Sequence, residues 1–281
     1  AQPDAVARIF SVKGRPSDHP LIVHVSSADA LDALSPRVPA FARALADAFW
    51  PGPLTLILPR SERVPDSVTG GQDTVGVRVP SHPVARQLLA AFEERGGLGV
   101  AAPSANRFGR VSPTTAAAVR AELAAYLSDA DVVLDGDQSA VGIESTIVDC
   151  TGERPVVLRP GAVTAADIMK ATGLTLGERS KPIRVSGSLE SHYAPTAAVV
   201  LDVAPQPGDG LIALAAVPTP EGVIRLAAPE SAEAYAHDLY QALRAADDLG
   251  LERVVAVVPE GDGIALALRD RLSRAAHPLR S

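Results

Sequence analysis

The chain has 281 residues, 47% of them apolar, and a formal net charge of −7. That much apolar residue buries a sizeable core and predicts two domains, while the acidic balance argues against a protein whose main task is to coat nucleic acid. Its one cysteine, Cys150, excludes an internal disulfide framework, and no apolar run reaches the ~18 residues of a membrane span. A reducing, cytoplasmic compartment is expected, with Cys150 a small buried hydrophobe at a strand end rather than a nucleophile.

In chain order, Val6, Ile9 and Phe10 keep a helical spacing, and Gly14 with Pro16 ends that segment: glycine suits a helix end, and proline cannot continue one. Lys13 and Arg15 are therefore two cations in a constrained turn, in a chain with three lysines against 23 arginines. An ammonium beside a guanidinium suits a polyphosphate; a solvated basic turn is the alternative. Strands are expected at 21–25, 54–58, 75–79, 98–102, 132–134, 145–149 and 156–158, and helices at 28–34, 39–49, 83–95, 115–126 and 165–172. This alternation predicts a mixed α/β domain.

The stretch 98–115, LGVAAPSANRFGRVSPTT, starts as a buried strand and opens at Pro103 into Ser104, Asn106, Gly109 and Ser112. α/β proteins build polar small-molecule sites from such strand ends, and Thr114 or Ser112 could cap the next helix, whose free N–H groups favour an anion. An ordinary polar connection reads the same way. After residue 176 the periodicity dissolves into a Gly-, Ser- and Pro-containing linker. A second alternation follows, with strands at 198–203, 211–215, 223–226 and 254–258 and helices at 231–249 and 264–275. It carries no G-x-G-x-x-G run, so a Rossmann-like shape there would not imply a dinucleotide.

Eight segments, in order, resemble the YrdC/Sua5 family of threonylcarbamoyl-adenylate synthases in its two-domain Sua5 form. They are Lys13-Gly-Arg15-Pro with Pro20-Leu-Ile-Val, Trp50-Pro-Gly-Pro-Leu-Thr, Thr74-Val-Gly-Val-Arg78-Val-Pro and Pro103-Ser-Ala-Asn106. Ser112-Pro-Thr, Glu144-Ser-Thr-Ile-Val-Asp, Leu158-Arg-Pro-Gly161 and Ser191-His-Tyr-Ala-Pro195 follow. The resemblance implies a YrdC-like twisted mixed sheet with helices over residues 1–176, a linker acting as a lid over 177–196, and a small Rossmann-like α/β domain over 197–281. Family members carry a Pro-Thr-x-Thr-x-Tyr-Gly-Leu segment before the position where this sequence starts, which is expected to supply a first strand and part of a threonine site.

The implied reaction joins L-threonine, bicarbonate and ATP, with Mg²⁺ on the nucleotide, into threonylcarbamoyl-AMP and pyrophosphate; a tRNA threonylcarbamoyl transferase then uses the product at adenosine 37. On the same ground Lys13, Arg15, Ser104 and Asn106 are expected to act on the reacting groups. Thr74, Ser112, Arg159 and Tyr193 join Lys13, Arg15 and Ser104 on ATP, and Arg78 and Ser145 hold threonine. The resemblance has Tyr193 reaching the nucleotide from the folded-back linker that also holds His192. Other readings stay open: a surface ion pair for Arg78, a structural hydroxyl for Ser145, a plain spacer for the linker, and for Glu144 a strand-end carboxylate paired with either arginine. No metal-ligand spacing is visible among the six histidines. Two rival functions stand beside the synthase. A carbamoyltransferase-related domain would bring Cys-rich zinc motifs that a single cysteine cannot supply. An RNA-binding protein without catalysis, or a weak RNA contact, has little aromatic support.

Overall fold

The computed structural model describes residues 2–179, 183–187 and 193–277. The chain forms two compact units, Ala1–Pro103 with Ser145–Ser188, and Ser104–Glu144 with Leu189–Ser281.

The first unit opens with α1 (Pro3–Lys13), which has a proline at its N-terminal turn, where the missing N–H costs nothing. It stops at Gly14, whose φ of 60° is open to glycine; the Arg15 N–H then reaches the Phe10 carbonyl at 3.0 Å, closing a Schellman turn. β1 (Ile22–His24), β2 (Leu54–Pro59), β3 (Thr74–Arg78), β4 (Val100–Ala101), β5 (Thr146–Asp149) and β6 (Val156–Arg159) make one sheet in the order β4-β1-β3-β2-β5-β6. β1 pairs parallel with β3, β2 parallel with β5, and the remaining contacts are antiparallel, so the sheet is mixed as expected.

Strand period two divides the sheet's residues between two layers. Leu54, Leu56, Leu58 and Val148 enter the main core with Val6 and Phe10 of α1, with Leu45 of α3 (Ala40–Phe49) and with Ile168 of α7 (Ala165–Thr172). Ile57 and Ile147 face the other way and are covered by Ile183 and Val185. The segment expected to be a linker thus begins as a strap on the sheet. Gln72 fixes it through both amide atoms, donating to the Arg184 carbonyl and accepting from the Arg184 N–H.

The second unit holds a parallel sheet in the order β7-β10-β8-β9, from β7 (Ala198–Leu201), β8 (Gly210–Ile212), β9 (Ile224–Ala227) and β10 (Arg253–Ala256). It packs with α8 (Ala232–Asp248) and α9 (Ile264–Ala275), whose buried faces repeat at helical spacing: Leu239, Tyr240, Leu243, Ala246, then Leu268, Leu272, Ala275.

Residues 104–144 pack with this second unit. Their apolar residues Val111 and Ile143 pack with Tyr193, Tyr240 and Leu243, and Arg244 donates to the Val111 carbonyl. Local periodicity cannot tell which core a side chain joins. The expected strand at 132–134 does not form: Val132 and Leu134 are 78% and 52% exposed, and the apolar triplet has no ladder partner. Helices α2 (Leu31–Leu34) and α5 (Pro83–Glu93) lie within expected helical stretches, whereas two short elements differ. Thr115, not Thr114 or Ser112, caps α6 (Ala116–Leu123) by accepting from the Ala118 N–H. α4 (Asp66–Thr69) was not expected, since four residues are too few to show a period. Among the described residues, no helix is long and apolar enough to cross a membrane.

Candidate active site

In the first unit, the α1 C-terminus and the strand ends bring buried cations together. Lys13 and Arg15 flank the Gly14 turn and are 4% and 7% exposed, which sets aside a solvated basic turn. Arg15 donates from Nη2 to the Pro20 carbonyl at 3.0 Å and to Ser186 Oγ at 3.3 Å. Arg159, at the end of β6 and 5% exposed, donates from Nε to the Ser145 carbonyl, from Nη2 to Ser145 Oγ at 3.1 Å, and from Nη1 to the Ser186 carbonyl at 2.8 Å. Ser186 therefore touches both arginines. Sequence reasoning misses it because nothing local in the strap distinguishes it from any loop serine.

Arg78, the last residue of β3, donates from Nε to the Gly52 carbonyl at 3.0 Å. Burial, and then the charge of Arg159, lower its pKa to about 10. It is still a full cation at neutral pH, and among the described residues no carboxylate pairs with it. The surface ion pair considered for Arg78 is absent there. Its neighbour in the β1–β3 register is His24, where burial followed by the Arg78 charge brings the imidazole down to about 4. His19, on the Arg15 side, is lowered by burial and then by Arg15. Each shift points to positive potential in a partly dry space.

Ser145 lies just before β5, 2% exposed, with its hydroxyl between Arg159 and Thr55 Oγ1 at 2.8 Å. Thr74, at the start of β3, lines a cavity of about 10 Å³ with Gly76, Ile147 and Ser186, room for about one water molecule. Cys150 is fully buried; burial, then Asp149, hold its thiol well above the usual range, so it is an inert packing residue.

In the second unit, Asn106 is 1% exposed and its amide donates to the Arg107 and Arg110 carbonyls at 2.8 and 2.9 Å, stitching the turn after Ser104. Ser112 donates to Glu144 Oε1 at 2.7 Å. The other carboxylate oxygen, Glu144 Oε2, accepts from Arg271 Nε at 3.0 Å and from the Tyr240 hydroxyl at 2.8 Å. Tyr193 is 1% exposed, with its ring stacked on Tyr240 at 5.5 Å and under the Arg271 guanidinium at 5.4 Å. His192 lies outside the described residues. Among the described residues no cluster of three His, Cys, Asp or Glu side chains could hold a metal ion.

Buried and partly buried cations at the strand ends of a mixed α/β sheet, with Arg78 lacking a carboxylate partner among the described residues, define an α/β protein built to bind anionic small molecules. Residues 1–161 match the Sua5–YciO–YrdC family, described as Telomere recombination, and residues 163–277 match the C-terminal domain of threonylcarbamoyl-AMP synthase. The threonylcarbamoyl-AMP synthase of Pyrococcus abyssi is 37% identical over 97% of this chain and 84% of its own length; that of Bacillus subtilis is 35% identical over the same shares. The crystal structure of P. abyssi Sua5 complexed with L-threonine superposes with a TM-score of 0.86 at 35% identity, covering 98% of this chain and 85% of that one. The chain belongs to the Sua5/YrdC family, in its two-domain form.

Proposed function

We propose that this protein is an L-threonylcarbamoyladenylate synthase, a nucleotidyltransferase that makes threonylcarbamoyl-AMP and pyrophosphate from L-threonine, bicarbonate and ATP. The observation that carries the reading is Arg78, a partly buried guanidinium that is charged at neutral pH and has no carboxylate partner among the described residues. A buried charge is costly unless something pairs with it, and a planar fork suits a carboxylate held by two bonds. The carboxylate of L-threonine is that partner, and the relatives' names and the threonine-bound neighbour support it.

The threonine amine and bicarbonate give a carbamate with loss of water. A carbamate oxygen then attacks the α-phosphorus of ATP, and the bond to the β,γ-diphosphate breaks, releasing pyrophosphate. No enzyme nucleophile is required. The protein positions the reactants, excludes water from a labile carbamate, and meets the charge that moves onto the leaving group. Lys13 and Arg15 take the phosphates, with Arg159 beside them, and Ser145 holds threonine with Arg78. Thr74, Ser104, Ser112 and Tyr193 contact the nucleotide, and Asn106 keeps the Ser104 turn in shape. Mg²⁺ enters on the phosphates of ATP, its usual carrier where no protein cage is built. The product is consumed by a tRNA threonylcarbamoyl transferase in the cytoplasm.

The test is pyrophosphate release by the wild-type chain, with and without L-threonine and bicarbonate, and by Lys13→Ala. Release that needs both co-substrates and falls by about 10²–10³ on substitution, the scale for losing one preorganised charge stabiliser, supports the reading. Release that ignores threonine overturns it.

A further inference from the structure

The second unit uses its helices to hold two separate segments that sequence analysis places on the nucleotide. Glu144 is the joint. Its Oε1 takes the Ser112 hydroxyl, and its Oε2 takes Tyr240 of α8 and Arg271 of α9. Arg271 is fully buried and also donates from Nη1 to Asp270 at 2.6 Å. Burial works against the charge of Arg271, but the oxygens of Tyr193, Glu144, Tyr240 and Asp270 overcome it and hold the guanidinium above the usual arginine range. Glu144 and Asp270 are the carboxylates that pair with it, at 3.0 and 2.6 Å. Tyr240 remains an un-ionised donor because burial, and then Glu144, push its pKa well up.

Tyr193 is held by the same helices. Its φ is +64°, a left-handed conformation that costs free energy for a bulky side chain and persists only where the surroundings over-determine it. Those surroundings are the Tyr240 ring, the Arg271 guanidinium and a pinned backbone. The Ala194 N–H donates to the Gly109 carbonyl, and Asp247 of α8 accepts from the N–H groups of Thr196 and Ala197. Gly142, two residues before Glu144, passes so close to α8 that a Cβ there would stand 2.3 Å from the Ala236 carbonyl oxygen.

We propose that the C-terminal domain's task in this enzyme is positioning. Tyr240 and Arg271, acting through Glu144 and through the stacked Tyr193, fix Ser112 and Tyr193 in the conformation that receives the nucleotide. The inference rests on the synthase reading for the identity of that ligand. A buried ion pair is poor evidence of a stability role, since apolar replacements often serve as well, so a demand for orientation is the better account of this network.

Tyr240→Phe tests it while keeping the volume and the stack on Tyr193. The affinity of a non-hydrolysable ATP analogue, measured by calorimetry on the full chain, is expected to fall about 10-fold, the scale on which partners that orient a ligand-binding group act. The KM for ATP should rise in step, with the KM for L-threonine within about twofold and Tm little changed. Arg271→Lys, which keeps the charge but not the planar contact with Tyr193, should show the same split. Unchanged analogue affinity and KM in both variants, with wild-type binding intact, overturns the positioning role and leaves the synthase reading standing. Wild-type protein that binds no adenine nucleotide overturns both.

Discussion

Two arginines, Arg271 fully buried in one unit and Arg78 partly buried in the other, show opposite uses of the same side chain. Arg271 sits among Glu144, Asp270 and two phenols, which hold it above the usual arginine range. Arg78 has the charge of Arg159 nearby, no carboxylate partner among the described residues, and a pKa lowered by burial to about 10. The fold satisfies the first cation and leaves the second for something else to satisfy. A buried charge already answered from within is architecture, and one left unanswered is a receptor for the opposite charge.

The sharpest way to break this contrast is at the first cation cluster. Arg78→Ala is expected to lower kcat/KM for L-threonine by about 2–5 kcal/mol, the cost of removing one side of a buried charge pair, read in the pyrophosphate assay. Stability should divide the two arginines in sign. Arg271→Met leaves Glu144 partly buried without its cation and Asp270 with Arg274 alone, and is expected to cost about 3–5 kcal/mol in denaturant unfolding. Arg78→Met removes a cation that no carboxylate pairs among the described residues and should stabilise the ligand-free protein by about 1–3 kcal/mol while weakening threonine binding. An Arg78→Met protein as destabilised as Arg271→Met would erase the distinction.

Smaller effects sharpen it. Ser145→Ala removes a hydroxyl that accepts from Arg159 and meets Thr55, and should cost about 1–2 kcal/mol of stability together with a rise in the KM for threonine. His24 gives a pH signature. Its folded pKa of about 4 lies below the ordinary imidazole value of 6.5, so between these values the unfolded chain binds a proton that the folded one refuses. Stability contributed by neutral His24 is full above pH 6.5 and lost as pH falls toward 4, by at most about 3 kcal/mol. His24→Asn should flatten the unfolding free energy over that window.

Much of this was legible beforehand. The Gly14–Pro16 punctuation located the α1 end and with it Lys13 and Arg15, because helix termination is local chemistry. Strand alternation found all six strands of the first sheet and the four of the second, to within a few residues. Thr74, Arg78, Ser145 and Arg159 were reachable only through the resemblance, since nothing in Thr74-Val-Gly-Val-Arg78 marks a strand-end arginine as drawn out of water. What failed was long-range. Ser186 bridges Arg15 and Arg159 from more than twenty residues beyond Arg159, and Glu144 finds Arg271 across 127 positions. The apolar triplet at 132–134 had the right composition for a strand and no neighbour to pair with.

The central claim is that Arg78 is held in waiting for the carboxylate of L-threonine, and calorimetry with L-threonine and with L-threoninamide tests it most directly. The amide keeps the side chain and the amine and loses only the negative charge. Wild-type protein is predicted to prefer L-threonine by about 30-fold or more, as expected for a buried charge-assisted pair, and Arg78→Met is predicted to lose that preference. Wild-type protein that binds both within about twofold would contradict the account.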